Sequence, residues 1–437
     1  MTTDFISRRA ACAALLMFLT ALRAPAEASR DPLTLDEALR IFRSSGFDLL
    51  IADAAVAAAR ADEQIAGAVP NPSLALARGT SSTYDRSLCA GCSNRSVSAG
   101  LTDLAISDIA SGRRRLRQAV ARAALGISTR SRADVERTLE FTMKQQLLQS
   151  ELAKRALDNA RQAQLLAAGT LDLAQKRYKA GAVSEADVAR ADVQKLEADQ
   201  AVDNGQQTLA QSKAQLAFLL GMPTALPDDV DVADELTRVA ISTRLARASP
   251  QELQREALQH RPDLGAAQLQ VTRARSSVEL AHRLRLPDFS PSLQFAQEGR
   301  GQSAIQPPTV TLGVSAGLPL FYRYRGEIAK AEADLHAQEI ARRKLEAQVT
   351  ADVTASFAAF ESAKQRATRM EEHLLPQAAR ARDLVRLQYE KGAASLFEFL
   401  DAQRTYLAAQ NEYLQTLSDY WTAVFQLELA TGMELHK

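Results

Sequence analysis

The sequence has few aromatic side chains and, beyond its first 28 residues, no long apolar run. Aromatic residues make up only 5% of the 437 residues, and alanine and leucine carry much of the apolar content. No segment after residue 28 approaches the ~18 consecutive apolar residues that a membrane-spanning helix needs. The sequence also has no phosphate-binding glycine loop, nucleophile elbow or paired metal ligands. We therefore expect neither an enzyme nor a cofactor.

The N-terminus has the pattern of an export signal, predicted over residues 1–28. Arg8 and Arg9 precede an apolar run over 10–22, and A-x-A cleavage sites follow, of which cleavage after Ala28 is favoured. The alternative is a buried N-terminal helix. Cleavage would remove three of the 53 basic and two of the 52 acidic residues, leaving 50 of each. A neutral mature chain argues against a nucleic-acid partner.

Proline and glycine are scarce in two long segments, which predicts two unusually long helices. Residues 109–179 contain no proline and three glycines, and apolar residues recur there at helical spacing between polar ones. A second segment covers 327–391 and contains Pro376, which we expect to kink the helix. Both patterns are typical of polar, coiled-coil-like helices and not of lipid-facing ones.

The chain after the signal repeats itself in the order helix, short strand, loop, short strand, long helix, corner and helix. "LDEALRIF" at Leu35 is echoed at Leu253, "NPSLAL" at Asn71 is echoed at Ser290, and "SAGL" occurs twice. The predicted first repeat covers 31–220, with a β-hairpin at 72–106 and a helical tip at 178–191. A linker follows over 221–250. The predicted second repeat covers 251–435, with a β-hairpin at 291–319 and a tip at 389–402.

The predicted strands alternate between apolar and small polar residues. Over 309–318 the alternation is complete, and 96–101 repeats it. This pattern suits a strand with lipid on one side and water on the other, although a half-buried soluble sheet gives the same pattern. A chain without a membrane-spanning helix can cross a bilayer only as a closed barrel, for which about eight strands are the minimum. Four strands per chain would therefore require several chains.

The repeat order, "RPDLGAAQLQV" at Arg261 and the two tip sequences together resemble the TolC-type outer-membrane factors over roughly residues 31–435. "GLPLFYRYRGEIAKAEAD" at Gly317 and "NPSL" at Asn71 are most similar to the heavy-metal cation branch, the partners of Czc- and Cus-type exporters. The resemblance implies a mainly α fold with a small antiparallel β part. Long coiled-coil hairpins would hang from four strands per chain, and a homotrimer would complete a 12-stranded β-barrel in outer-membrane lipid.

The resemblance also implies the partners and the function. A periplasmic adaptor (membrane fusion) protein and an inner-membrane RND-type pump would load the tunnel, and the chain would be a passive exit duct for heavy-metal cations in the outer membrane. A drug-efflux or type I secretion duct is the first alternative. A periplasmic coiled-coil scaffold or adaptor is the alternative from another class.

The two corners carry the predicted contact site. Each has a glycine suited to a left-handed helix end, followed by a serine and, three residues later, a carboxylate, which is the pattern of a helix cap. A plain helix hairpin explains the glycines and serines equally well. By resemblance the corners are periplasmic tips that meet the adaptor, and the matching residues are Tyr178, Gly181, Ser184, Asp187, Tyr389, Gly392 and Ser395.

Two carboxylates of the second tip form a candidate entrance gate. Glu398 and Asp401 lie three residues apart on one helix, and repeated by threefold symmetry they would form an acidic constriction that favours cations. The simpler alternative is a helix cap beside a solvated face. Where the family pattern has an arginine shortly after the second-tip glycine, this chain has Ala394.

The remaining candidates are cysteines, histidines and arginines. Cys89 and Cys92 form C-x-x-C between the first two strands, where a local disulfide is favoured over a transient soft-metal contact. The five histidines show no metal-ligand spacing. The basic run at 113–117, with Arg323 and Arg325 in the second half, is expected to face solvent or lipid headgroups.

Overall fold

The computed structural model of the chain describes residues 32–80, 95–102, 108–109, 111–223, 226, 236, 238–297 and 308–436. Within them the chain consists of long helices and one four-stranded sheet. In order, the elements are α1 (Leu35–Ser45), α2 (Phe47–Gly67), β1 (Ser73–Thr80), β2 (Arg95–Thr102), α3 (Arg113–Lys179), α4 (Glu185–Leu219), α5 (Thr243–Arg247), α6 (Pro250–His260), α7 (Pro262–Arg283), β3 (Asp288–Gln297), β4 (Thr309–Gly317), α8 (Arg325–Arg369), a π-helical segment (Met370–Leu374), α9 (Leu375–Glu390) and α10 (Leu396–Thr431). The order of helices and strands is the same in both halves, with α5 between them.

The strands form an antiparallel sheet in the order β1-β2-β3-β4. The β2–β3 pair, in which Leu101 lies opposite Leu293, joins the hairpin of the first half to that of the second. Leu74 lies opposite Leu101, and Leu293 opposite Leu312, so the apolar residues of all four strands share one face. The other face carries small and hydroxyl side chains: Ser73, Ala75, Ala77, Ser96, Ser98, Ser290, Ser292, Thr309, Thr311 and Ser315. The predicted two-faced sheet is confirmed.

Among the described residues, the apolar face of the sheet is largely exposed. Leu312 is 84% exposed, and Leu76 and Val314 are also largely exposed. Each edge strand, β1 and β4, has one neighbour in the described sheet. A sheet with an exposed apolar face and two open edges is unsuited to a water-soluble monomer.

The long helices follow the distribution of proline and glycine. Helix α3 spans 67 residues, which is about 100 Å at the α-helical rise per residue. Helix α8 passes into the π-helical segment, which ends at Leu374, two residues before Pro376, the second residue of α9. Proline lacks an N–H and crowds the carbonyl four residues earlier, so a wider turn relieves the clash. Among the described residues, no helix combines the length and apolar character needed to cross a bilayer.

Apolar side chains collect in three clusters along the helices. The largest joins α6, α8 and α10 around Phe360, Tyr420 and Trp421. A second joins α1 to α3 and α4 around Phe42 and Met143. The third lies where the two long hairpins turn. The clusters fix how the hairpins pack and so position the corners.

Arg261, from the quoted "RPDL" segment, ties the end of α10 to two other helices. Its guanidinium donates to the carbonyl of Ala430 (3.2 Å) and to the carboxylates of Asp263 (2.7 Å) and Asp352 (3.3 Å). Burial alone would raise the pKa of Asp263, but the Arg261 guanidinium lowers it below its ordinary value. The motif therefore has a structural role, which is to hold α7, α8 and the end of α10 together.

The prediction that the arginines at 113–117 face solvent or headgroups is wrong for two of them. The Arg113 guanidinium donates to the carbonyls of Arg283 (3.3 Å) and Leu286 (2.9 Å), and Arg114 donates to the carbonyl of Gly67 (2.8 Å). The Arg283 and Gly67 carbonyls lie at the C-terminal ends of α7 and α2, where the helix dipole attracts a cation, and the Leu286 carbonyl lies just beyond α7. Both arginines therefore hold helix ends below the sheet.

Candidate functional site at the helical tips

Both corners reverse the chain with the same backbone geometry. Gly181 (φ 72°) and Gly392 (φ 79°) adopt the left-handed conformation. The N–H of Gly181 donates to Tyr178 O and that of Ala182 to Arg177 O, both at 2.9 Å; the second corner repeats the pair onto Tyr389 O and Gln388 O. This pair of backbone hydrogen bonds is a Schellman motif. The predicted role of glycine as a helix terminator is confirmed at both corners.

A capping box starts the helix after each corner. The Ser184 N–H donates to the Asp187 carboxylate (3.1 Å), and the Asp187 N–H donates to the Ser184 hydroxyl (3.3 Å). Ser395 and Glu398 make the same reciprocal pair at 2.7 and 3.3 Å. Bonds from Ser184 lower the pKa of Asp187, its hydroxyl first and its N–H second, and the Ser395 N–H and hydroxyl lower that of Glu398. Both predicted caps are confirmed.

The two tyrosines of the tips occupy different environments. Tyr178 is 46% exposed, whereas Tyr389 is 2% exposed. The Tyr389 ring stacks on Phe399, with centroids 5.3 Å apart and planes within 3°. Ala174 and Ala191 of the first hairpin pack into the same cluster. Tyr178 is therefore accessible to a partner, whereas Tyr389 is buried inside the tip of the single chain. The adaptor contact of both residues stays a prediction.

Arg177 crosses from the first tip to the second, a contact that the sequence did not reveal. Its guanidinium carbon lies 4.3 Å from the centre of the Tyr389 ring. Its Nη2 donates to the carbonyl of Tyr389 at 3.0 Å and reaches that of Glu390 at 3.4 Å. Basic residues in the last turn of α3 were visible in the sequence, but their partner lies 212 residues away.

The two candidate gate carboxylates are each engaged within their own helix. Glu398 serves the cap, and Asp401 forms an ion pair with Arg404, three residues on, at 2.9 Å. Asp401 and Arg404 are exposed, and Arg404 went unnoticed in the sequence. In a single chain the arrangement matches the simpler alternative of a cap beside a solvated face, while a threefold gate remains a prediction.

Beside these residues runs a groove of about 390 Å³ between α4 and α10, with Ala163 and Ala167 of α3 as its floor. Its walls include Val193, Phe397, Asp401 and Gln403. Phe397 is exposed, and the amide oxygen of Gln403 is buried without a hydrogen-bond partner. A small-residue floor with an unpaired acceptor suits the approach of another helix.

Two predicted features fall outside the described residues, namely the signal over 1–28 and the cysteine pair Cys89 and Cys92. Within the described residues, no group of three or more His, Cys, Asp or Glu side chains could hold a metal ion. His436 instead contacts Glu428 at 2.6 Å.

Comparison with known proteins places the chain in a family. The chain is 27% identical to the pyoverdine export outer membrane protein OpmQ of Pseudomonas putida over 398 residues, covering 86% of this chain and 81% of that protein. It is 25% identical to the cobalt-zinc-cadmium resistance protein CzcC of Cupriavidus metallidurans over 410 residues, covering 93% and 92%.

The outer-membrane channel OprN has the same fold, with a TM-score of 0.74 at 19% identity, covering 92% of this chain and 91% of OprN. The model of the outer membrane efflux protein family matches residues 39–222 and 253–433, which takes in both halves. This family comprises transport ducts and not enzymes, which favours a channel over a periplasmic scaffold. The chain belongs to the outer membrane efflux protein family.

Proposed function

We propose that the protein is the passive exit duct of a tripartite efflux system in a Gram-negative bacterium, exporting heavy-metal cations across the periplasm and outer membrane. Three copies would each give four strands to a 12-stranded barrel, and their long helices would form a tunnel beneath it. The observation that carries this proposal is the sheet, which is apolar on one face, hydroxyl-bearing on the other and open at both edges.

The unpaired backbone groups at the two sheet edges favour closure of the sheet into a barrel. An open edge presents unpaired N–H and C=O groups, which in lipid would cost several kcal/mol each. Pairing β4 of one copy with β1 of the next removes both edges when three copies close the ring. The apolar face would then contact lipid, and the hydroxyl face would line water.

The tips are the proposed contact with the periplasmic adaptor, through which an inner-membrane RND-type pump would load the duct. Tyr178 and the corners around Gly181 and Gly392 are exposed at the end of the hairpins. The groove lined by Phe397 and Gln403 offers an adjoining site for an adaptor helix. We assign the driving force to the pump, so that the duct itself is passive.

Heavy-metal cations are the preferred cargo because CzcC, a cobalt-zinc-cadmium resistance protein, aligns over 93% of this chain and 92% of its own length. A second candidate cargo is a siderophore or drug-sized organic molecule. The similarity to OpmQ, a pyoverdine export protein with 27% identity, favours that candidate. The two relatives differ little in identity, so the cargo requires a direct test.

The test has two stages. The mature protein is extracted in detergent, weighed by native mass spectrometry and inserted into planar bilayers; a trimer that forms discrete channels is expected, and a soluble monomer without channels would contradict the duct. The gene is then deleted, and growth is compared in cobalt, zinc and cadmium salts and in organic antibiotics. Sensitivity to the metals alone supports the metal cargo, whereas sensitivity to the antibiotics alone supports the second candidate.

A further inference from the structure

We propose that Arg130 and Arg342 form a binding site for a small soluble oxyanion, a phosphate or carboxylate group, in a cavity between α3, α7 and α8. The cavity has a volume of about 580 Å³ and borders the first two turns of α7. Gly265 and Gln268 of α7 line it together with the two arginines. The site is separate from the helical tips, and the inference does not depend on the proposed duct function.

The two arginines reach the same turn of α7 from two neighbouring helices. Gly265 and Gln268 are three residues apart and therefore share one face of α7. Arg130 of α3 lies against Gly265, where a Cβ would come 3.3 Å from the arginine Cδ and 3.4 Å from its Nε. Arg342 of α8 donates from Nη1 to the amide oxygen of Gln268 at 2.9 Å. The missing side chain at Gly265 and the amide of Gln268 therefore place two cationic groups over one turn.

The guanidinium of Arg342 has an open hydrogen-bonding edge. An arginine commonly binds a carboxylate through two parallel N–H groups. Arg261 does so with Nε and Nη2, which donate to Asp263 at 3.1 and 2.7 Å. Among the described residues, neither of these two nitrogens of Arg342 has a hydrogen-bond acceptor, and its Nε is buried. A buried donor without an acceptor is costly, which favours a ligand at this edge.

The charges around the cavity leave one positive charge to be balanced. Arg130 makes no hydrogen bond or ion pair with another described residue. A third arginine in the lining, Arg261, is already neutralised by two aspartates. Glu346 supplies the carboxylate of the lining, and its Oε1 lies 3.8 Å from Nε of Arg342, beyond hydrogen-bond distance. Because Glu346 is 44% exposed, its side chain can rotate away when a ligand reaches that edge.

The position of the site favours a soluble anion over a lipid headgroup. Arg130 is 17 residues after Arg113, the first residue of α3, and Arg342 is 17 residues after Arg325, the first residue of α8. These helices follow β2 and β4, so both arginines lie about 26 Å along their helices from the sheet end. If the sheet spans a bilayer, the headgroup layer extends only about 5–8 Å beyond the hydrocarbon core. A headgroup would therefore not reach the site.

The test is isothermal titration calorimetry of the full-length mature protein in detergent. The probes are sodium phosphate, sodium acetate and a water-soluble short-chain phosphatidylglycerol, each compared with sodium chloride at the same ionic strength. We expect phosphate or acetate to bind once per chain, and the tighter of the two identifies the preferred anion. Phosphatidylglycerol that binds more tightly than both would overturn the assignment to a soluble anion.

Substitutions at the site should change the affinity in both directions. Arg130→Gln and Arg342→Gln should each weaken binding about tenfold, because each removes a charged hydrogen bond. Arg342→Lys keeps the charge without the two-donor edge and should weaken binding less. Glu346→Gln should tighten binding, since it removes the nearby negative charge. Misfolding could produce a loss of affinity but not this gain.

Arg275→Gln is the matched control. Arg275 is an exposed arginine of α7 that pairs with Glu339 of α8 at 3.2 Å, outside the cavity, so its loss should leave the affinity unchanged. Melting temperatures in chloride show whether each variant is folded. No binding beyond that of chloride, or an equal loss of affinity in Arg275→Gln, overturns the site. The readout is binding to the folded chain, so a failure of channel formation would contradict the duct and not this site.

Discussion

Lys144 and Glu428 form a buried ion pair between the two halves of the chain. Lys144 Nζ lies 2.8 Å from Glu428 Oε2, and both side chains are about 5% exposed (5% and 6%). The other oxygen of Glu428 accepts the backbone N–H groups of Leu435 (2.6 Å) and His436 (2.9 Å). The pair thus fixes α3 to the end of α10 and to the segment that follows it.

We predict that Lys144→Met destabilises the protein far more than the loss of a surface lysine. Removing one partner leaves the Glu428 carboxylate buried without its cation, which costs about 3–5 kcal/mol. Lys176→Met is the control, because its pair with Asp172 is exposed and worth no more than about 1 kcal/mol. Denaturant unfolding in detergent measures both; equal losses would contradict the role of the buried pair.

Acid stability should depend on the same carboxylate. Burial alone would raise the pKa of Glu428, but bonds and charge from His436 and Lys144 lower it from 4.5 to about 2. A lowered folded pKa contributes stability above pH ~4.5 that disappears as the pH falls through ~2, an amount of roughly 3 kcal/mol. Glu428→Gln should be less stable at pH 7 and should lose less unfolding free energy between pH 5 and 2. An identical loss of unfolding free energy in wild type and Glu428→Gln would contradict this role of the Glu428 carboxylate.

The sequence predicted features that depend on neighbouring residues. The left-handed glycines, the capping boxes and the alternating strands each arise from a few adjacent side chains, and the structure confirms them at Gly181, Gly392, Ser184 and Ser395. The disturbance at Pro376 is equally local. Local rules were sufficient for the corners and caps because their hydrogen bonds close within one or two helical turns, and for the faces of the strands because successive side chains alternate between the two faces.

The contacts that join the halves could not be read from the sequence. Arg177 and Tyr389 are 212 residues apart, and Lys144 and Glu428 are 284 residues apart. The residues around each member of these two pairs give no indication of which distant residue it contacts. The same limit explains Tyr178 and Tyr389, which occupy equivalent motif positions yet differ in burial, because Tyr389 packs into the cluster between the two hairpins and Tyr178 does not.

The two faces of the sheet should respond in opposite ways to the same substitution. We predict that Leu312→Arg greatly reduces the amount of protein in the outer membrane, since arginine on a lipid face costs about 2–4 kcal/mol near the bilayer centre. Thr311→Arg, one residue away on the hydroxyl face, should assemble and alter conductance instead. Membrane fractionation and bilayer recording measure the outcomes, and equal assembly of both variants would contradict a lipid-facing apolar surface.

The cysteine pair gives a chemical test that is independent of the fold. If Cys89 and Cys92 form a disulfide in the exported protein, the denatured mature protein should contain no free thiol by thiol titration. Reduction beforehand should release two thiols, and Cys89→Ser should leave one. Two free thiols in the unreduced wild-type protein would exclude the disulfide.

Substitutions at Asp401 and Arg404 test the predicted gate, because they should change block by divalent cations in opposite directions. If Asp401 contributes to an acidic constriction, Asp401→Ala should raise single-channel conductance or antibiotic leak and weaken block by divalent cations. Arg404 lies 2.9 Å from that carboxylate, so Arg404→Ala should strengthen the block by leaving Asp401 unpaired. Asp172→Ala, which removes a similarly paired exposed carboxylate on α3, serves as the control and should leave both properties unchanged. If conductance and cation block are unchanged in both tip variants, Asp401 does not form part of an entrance gate. Its pair with Arg404 is then an ordinary surface ion pair.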